Sequence, residues 1–122
     1  MDTDSTKIKR RGISVAARKS KGRNLQKLVV NKLLEKFKQL EPDDITSRSM
    51  GANGEDLLLS PAARKLVPYS FECKNIASFV GYTYLGQAES NCPKGATPIA
   101  VVKNNHKKPV VVMYLDDWIK TL

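Results

Sequence analysis

The sequence predicts an α/β (α+β) fold, in which helices flank a central mixed sheet of five strands. The strongest helical signal is a run of apolar residues at helical spacing between residues 21 and 40. The strongest strand signal is a pair of β-branched runs, Ile99–Lys103 and Pro109–Tyr114, separated by a polar segment that is typical of a hairpin. The whole chain follows the order α-β-β-β-α-β-β-α, which favours a sheet with helices packed on it.

The first helix is predicted over residues 21–40. Its apolar residues recur every three or four positions, so they share one face of a helix. They are Leu25, Leu28, Val29, Leu33, Phe37 and Leu40. Pro42 and the acidic pair after it predict the end of this helix.

Shorter elements follow the first helix, separated by Gly, Pro and Asn residues that are typical of turns. In chain order they are strands at 45–50, 55–59 and 69–74 with one turn of helix at 62–66, then helices at 82–91 and 115–122 on either side of the hairpin. We expect Trp118, in the last helix, to lie in the core.

Length and charge indicate one domain with a basic arm. The chain has 122 residues and a net charge of +9, and residues 1–27 hold nine lysines and arginines against Asp2 and Asp4. We expect residues 1–20 to form a flexible arm and residues 21–122 to form a single domain. A polyanion such as DNA suits this arm, because phosphate neutralisation releases counterions; a merely solvated tail is the alternative.

The sequence also bears on membrane and redox environment. No apolar run approaches the roughly 20 residues of a membrane span, and the N terminus is too polar for a secretory signal. Cys73 and Cys92 are the only cysteines and form no CxxC pattern. We therefore expect a cytoplasmic protein with reduced thiols and no membrane partner.

Two carboxylates and a lysine form the strongest candidate for a chemical site. Because alternate side chains of a strand share a face, Glu72 and Lys74 point one way while Phe71 and Cys73 point the other way, toward the core. Asp56 begins the preceding strand and lies beside Glu72 if the two strands pair. Carboxylates and a backbone carbonyl suit Mg²⁺ or Mn²⁺, and a nearby lysine can stabilise charge on a phosphate. Phosphodiester hydrolysis needs these groups, although a surface salt bridge between Glu72 and Lys74 is the simpler alternative.

The residues around this set resemble the PD-(D/E)XK nuclease superfamily. The resemblance is carried by Gly54-Glu55-Asp56 and Glu72-Cys73-Lys74-Asn75, with Gln87-Ala88-Glu89 and the hairpin at 99–114 in the same layout. Within the superfamily, the chain from about Gly22 to Leu122 is similar to archaeal-type Holliday junction resolvases and to small phage proteins related to them. A restriction-endonuclease-like core is the fold that this resemblance implies.

The resemblance implies a role for each matching residue. Asp56 and Glu72 match the two metal-binding acids, and the carbonyl of Cys73 would be a further ligand of Mg²⁺, for which Mn²⁺ can substitute. Lys74 matches the catalytic lysine, and Gln87 matches a glutamine near the site. The implied catalytic residues are therefore Asp56, Glu72, Lys74 and Gln87.

Two positions depart from the pattern of the resolvases. Glu55 stands where the superfamily has a proline that is often replaced. Gln26 is the nearest match to a first-helix glutamate that joins the metal site. Because an amide binds a divalent cation less strongly than a carboxylate does, Gln26 leaves the number of bound metals open.

The residues expected to contact DNA are mostly basic or lie near the site. Basic side chains would follow the phosphates without reading the base sequence, and the resemblance places Ser49 on a loop that approaches the DNA backbone. Asn75 either touches DNA or starts a turn. The full set is Arg10, Arg11, Lys19, Lys21, Arg23, Gln26, Lys27, Arg48, Ser49 and Asn75.

The function that the resemblance implies is a structure-selective DNA endonuclease of recombination and repair, such as a Holliday junction resolvase. It would leave 5′-phosphate and 3′-hydroxyl ends, in the cytoplasm of a bacterial host if the chain is phage-encoded. A four-way junction has two-fold symmetry, so a homodimer would supply the two sites needed for paired incisions. A repair or restriction-type nuclease on the same fold, and a non-catalytic DNA-binding protein, are the alternatives.

Overall fold

The computed structural model describes residues 15–49, 52–78 and 80–122. Its elements within these ranges confirm the predicted α/β class. They are, in chain order, α1 (Val15–Lys36), a 3-10 helix (Pro42–Asp44), β1 (Ile45–Ser47), β2 (Leu57–Leu59), α2 (Pro61–Leu66), β3 (Tyr69–Ile76), α3 (Gly81–Ser90), β4 (Thr97–Asn104), β5 (Val110–Val112) and α4 (Leu115–Ile119).

Helix α1 differs from its prediction at both ends. Residues 15–20, expected to belong to a flexible arm, are helical, because alanine, lysine and arginine favour helix even where their charge is high. The regular helix ends at Lys36, and the hydrogen bond from Leu40 N–H to Phe37 O closes a turn beyond it. Residues 1–14, the rest of the predicted arm, lie outside the described residues.

The predicted five-stranded sheet is wrong in detail, because the strands form two smaller sheets. β1 pairs antiparallel with β2, while β3 pairs parallel with β4, which pairs antiparallel with β5. The two sheets are joined by the hydrogen bond from Asp56 N–H to Phe71 O, 2.9 Å long. The pairing goes no further because β2 ends at Leu59, and Ser60 and Pro61 then turn the chain into α2.

The long strands β3 and β4 bury both of their faces. One face contributes Phe71, Cys73, Ile99 and Val101 to the main core, against which Leu25 of α1 packs. The opposite face carries Glu72 and Lys74 on β3 and buried Ala100 and Val102 on β4, and α3 packs there. The predicted alternation of β3 is therefore confirmed, with core side chains on one face and the candidate site on the other.

The C-terminal part confirms the hairpin but not the buried tryptophan. β4 and β5 are antiparallel and joined by a tight turn in which His106 has a φ of 62°. Trp118 of α4 is 49% exposed rather than buried, because this five-residue helix lies at the edge of the fold. Cys73 and Cys92 are both free thiols.

None of the helices in the described part of the chain combines the length and the apolar character that crossing a bilayer requires.

Replacing Ser60 by alanine should lower the free energy of unfolding by about 1–2 kcal/mol, the usual effect of losing an N-cap. Ser60 Oγ accepts the Ala63 N–H at 3.1 Å and donates to Asp44 Oδ1 at 2.6 Å, so it caps α2 and ties it to the 3-10 helix. Urea denaturation measures the change. Ser78→Ala, on an exposed loop, is the control, and equal stability of the two variants would contradict this role.

Candidate active site

Asp56 is attached to β3 by two hydrogen bonds. Its backbone N–H donates to Phe71 O at 2.9 Å, and its carboxylate oxygen Oδ2 accepts the Cys73 N–H at 2.8 Å. Glu72 stands between these two anchor points in the chain. The structure therefore brings Asp56 next to Glu72 through a single backbone bond and one side-chain bond, without an extended strand pairing.

Glu72 and Lys74 form an ion pair on the α3 face of β3. Glu72 Oε2 lies 3.2 Å from Lys74 Nζ. Glu72 is only 5% exposed, whereas the lysine side chain keeps about a third of its surface in solvent. Lys74 Nζ also lies 5.6 Å from the centroid of the Tyr84 ring, a distance typical of a cation–π contact. Glu72 is thus buried while Lys74 reaches solvent, so the pair is only in part the surface salt bridge of the simpler alternative.

The two carboxylates are held in an unfavourable electrostatic environment. Burial raises the pKa of Asp56, although the Cys73 N–H and the charges of Lys74 and Arg48 act in the opposite direction. Burial, followed by the negative charge of Asp56, raises the pKa of Glu72, with Lys74 acting against it. A bound cation would relieve both the burial of charge and the mutual repulsion.

Asp56, Glu72 and Lys74 line a cleft of about 560 Å³. Its lining is mostly polar and comes from α1, the loop before β2, β3 and α3. Among the predicted residues it includes Asp56, Glu72, Cys73, Lys74, Gln87, Gln26 and Ser49, and it further includes Ala52, Asn53, Gly54, Thr83, Gly86, Ser90 and Asn91. Gln26 is 3% exposed, so it belongs to the cleft wall rather than to an outer DNA-contacting surface.

The donor set fits a hard, oxygen-binding cation only in part. Among the described residues, no three or more histidine, cysteine, aspartate or glutamate side chains cluster as a ready metal site. Asp56 and Glu72 are two carboxylates, and Mg²⁺ is usually held by one or two carboxylates while keeping several waters. The Cys73 carbonyl leaves β3 on the same side as its N–H, which faces Asp56. The Cys73 thiol points to the core, and burial raises its pKa, so the thiol is excluded as a ligand.

A clamp of side chains that the sequence did not reveal holds the segment before Asp56. Arg64 of α2 contacts both carboxylate oxygens of Glu55, at 2.7 and 2.9 Å, and also donates to Tyr69 O at the start of β3. Arg48 donates to Glu55 O. The guanidinium of Arg48 also lies 3.0 Å from the position of a β carbon on Gly54, whose φ is +108°, so only glycine fits there without strain.

The predicted DNA-contacting residues of α1 fall into two groups. Lys19, Arg23 and Lys27 are exposed and follow one another at intervals of four, which places them along one side of the helix. Lys21 is partly buried, and its Nζ donates to Asn105 Oδ1 at 2.9 Å, which ties α1 to the β4–β5 turn. Arg10 and Arg11 lie outside the described residues.

The remaining predicted contacts are mixed. Ser49 is exposed and lines the cleft. Arg48 is turned inward by its bond to Glu55, so its first role is structural. Asn75 neither follows the strand nor faces the cleft, because β3 continues to Ile76 and Asn75 shares the face of Phe71 and Cys73.

Three comparisons with known proteins add no relative. The chain matches no protein-family model, and comparison with curated proteins and with solved structures yields no match either.

Glu72→Gln should stabilise the metal-free protein at neutral pH, with a melting temperature a few degrees higher. A raised folded-state pKa means that the native state binds this proton more tightly than the unfolded chain. The stability that the protonated Glu72 contributes is therefore full at low pH. It is lost as the pH rises from the ordinary pKa of 4.5 through the raised pKa of the folded state. In EDTA, the advantage of the variant should grow with pH over that window and then stay constant.

Glu35→Gln, on the exposed side of α1, is the matched control and should show little change. A Glu72→Gln protein that melts below the wild type at pH 7 in EDTA would show that the Lys74 ion pair outweighs the cost of burial.

Arg64→Met should lower the free energy of unfolding by about 2 kcal/mol, because it leaves the largely buried Glu55 carboxylate unpaired. The double variant Glu55→Gln with Arg64→Met should lose less than the two single losses added, since no charge is then stranded. Urea denaturation of the four proteins gives the coupling free energy. Lys65→Met, exposed on the same helix, is the control, and strict additivity would rule out the clamp.

Proposed function

We propose that this chain is a divalent-metal-dependent DNA endonuclease of the PD-(D/E)XK type. One observation carries the proposal: the Asp56 carboxylate is fixed on the Cys73 N–H beside a buried Glu72, which is paired with Lys74 at the wall of an open polar cleft. Burying two carboxylates that repel one another lowers the stability of the fold, and groups of this kind are concentrated at functional sites. A bound cation would compensate the two negative charges, and a phosphodiester would be the substrate.

Asp56 and Glu72 would hold Mg²⁺, with the Cys73 carbonyl and water as further oxygen ligands. When bound, the cation would polarise a phosphoryl oxygen and neutralise charge developing on the phosphate. The protein side of this chemistry is preorganisation: the Cys73 N–H keeps Asp56 Oδ2 in place, and the clamp from Glu55 to Arg64 fixes the preceding backbone. Both groups would be oriented before substrate arrives.

Lys74 would contact the scissile phosphate. The ion pair with Glu72 directs its ammonium group along β3, and the Tyr84 ring limits where that group can move. Because about a third of the side chain is exposed, the ammonium can still donate to an incoming phosphate oxygen. Gln87, which lines the cleft from α3, would orient a water or a phosphate through its amide.

The exposed row of Lys19, Arg23 and Lys27 would guide the DNA backbone toward the cleft. Gln26, on the same helix, lines that cleft, so we expect a duplex lying along the row to pass close to Asp56 and Glu72. Contacts of this kind set affinity and position rather than sequence preference, and they weaken as salt is raised.

The preference for branched DNA rests on the resemblance to Holliday junction resolvases. The same resemblance supports a homodimer, 5′-phosphate and 3′-hydroxyl products, and action in the cytoplasm, of a bacterial host if the chain is phage-encoded. A repair or restriction-type nuclease would use the same site on another DNA. Gln26, in place of a glutamate, is the observation that favours the second candidate function, a DNA-binding protein without catalysis.

Incubation with Mg²⁺ and labelled four-way junction, flap and linear duplex tests these functions together. We expect symmetric cutting of the junction, and a loss of rate of at least about a hundredfold in Asp56→Asn and Lys74→Ala, because each removes a group needed at the phosphate. Lys94→Ala, on an exposed loop away from the cleft, should cut like the wild type.

Each alternative gives its own result. Equal cutting of linear duplex would remove the junction preference and leave a nuclease. Binding of DNA with no cutting in Mg²⁺ or Mn²⁺ would leave the non-catalytic reading. Wild-type rates in Asp56→Asn would refute the proposed site.

A further inference from the structure

An apolar groove runs over the sheet face between α1 and β5, on the opposite side of β3 from the Glu72–Lys74 pair. It consists of two joined cavities of about 500 and 350 Å³ that share Leu33, Phe71 and Val111. Val111 of β5 is 60% exposed at its rim. Among the described residues that line this groove, the charged ones are Lys32, Lys36 and Lys108, so its rim is positive.

Helix α4 presents an exposed apolar surface with acidic residues beside it. Its large apolar residues Leu115, Trp118 and Ile119 follow the i, i+3 and i+4 spacing of a single helical stripe, and Leu122 lies just beyond the end of the helix. All of them are exposed: Leu115 at 66%, Trp118 at 49%, Ile119 at 51% and Leu122 at 85%. Asp116 and Asp117 flank the stripe; Asp117 lies 4.0 Å from Lys120, whereas Asp116 joins none of the salt bridges of the described residues.

We propose that α4 of one copy of this chain docks its apolar stripe into the groove between α1 and β5 of a second copy. A convex apolar stripe with an acidic flank meets a concave apolar groove with a basic rim, so shape, hydrophobicity and charge agree. Neither surface is covered within the described part of the chain. A contiguous exposed apolar surface of this kind is typical of a protein interface.

The positions of β5 and α4 allow the docking to be reciprocal. β5 pairs only with β4 among the described strands, so its outer edge is open. A two-fold axis beside that edge would run β5 antiparallel to its copy and place the end of one strand next to the start of the other. α4 follows β5 after only two residues, so Asp116 would lie near Lys108 of the second copy. Each copy then gives a helix and receives one, which closes the dimer.

This inference deepens the homodimer of the proposed function and rests on it only for the need to make two incisions. The apolar and charge observations involve neither the carboxylates nor the metal. Dimerisation and cleavage can therefore fail separately.

Sedimentation of the full chain in EDTA and without DNA tests the dimer directly. We expect the wild type to be dimeric at micromolar concentration. Trp118→Ala should weaken dimerisation by at least about tenfold, since buried tryptophans dominate the binding energy of interfaces. Val15→Ala, an exposed apolar residue outside both surfaces, should dimerise like the wild type.

A charge exchange identifies the contact. Asp116→Lys and Lys108→Glu should each sediment as a monomer, and an equimolar mixture of the two should form a heterodimer, because both of its interfaces then join opposite charges. Circular dichroism of each variant checks that the monomer is folded. Recovery in the mixture also excludes simple loss of α4 as the cause.

A monomeric wild type at tens of micromolar, or variants that stay dimeric, would overturn the proposal. A wild-type dimer that responds as described yet cuts no DNA would refute the proposed function and leave this interface standing. A monomeric wild type that cuts DNA through Asp56 and Lys74 would do the reverse.

Discussion

The attachment of Asp56 to β3 is the interaction on which both the fold and the candidate site depend. Its backbone N–H and its carboxylate bind β3 at Phe71 and Cys73, the neighbours of Glu72 on either side. The same two bonds join the β1–β2 hairpin to the three-stranded sheet. A structural role and the proposed chemical role therefore fall on one residue, because the bonds that hold Asp56 beside Glu72 also hold the two sheets together.

This arrangement has an energetic cost that the surrounding residues partly offset. Burial raises the pKa of both acids, the negative charge of Asp56 raises that of Glu72 further, and Lys74 acts in the opposite direction on both. The clamp from Arg64 to Glu55 adds a charge-assisted contact where β2 is too short to pair further with β3. Side-chain hydrogen bonds and the ion pair thus hold together two segments that no strand ladder joins, and they keep Asp56 beside the buried Glu72.

The face on which Glu72 and Lys74 lie was easier to predict from the sequence than the sheet. Strand alternation alone separates Glu72 and Lys74 from Phe71 and Cys73, because that pattern is local and has a period of two. The clamp could not be predicted, since Arg64 meets Glu55 only after α2 has turned the chain, and nothing in the spacing indicates it. Residue type predicts Trp118 in the core, but residue type alone does not distinguish a buried tryptophan from one on an exposed apolar stripe. The split of the sheet followed from where β2 stops, and strand ends are poorly marked in sequence.

Helix α1 relates the separate surfaces to one another. At about 100° per residue, Leu25 and Val29 face the core, while residues on the two flanks of that face point to different places. Gln26 lies on one flank, at the cleft, and Leu28 and Lys32 lie on the other, at the groove. A partner in the groove would therefore contact α1 on the side opposite the cleft. Dimerisation would fix the helix that carries Gln26 and the basic row without covering the cleft, so each copy of a dimer would keep its site open to its own DNA strand.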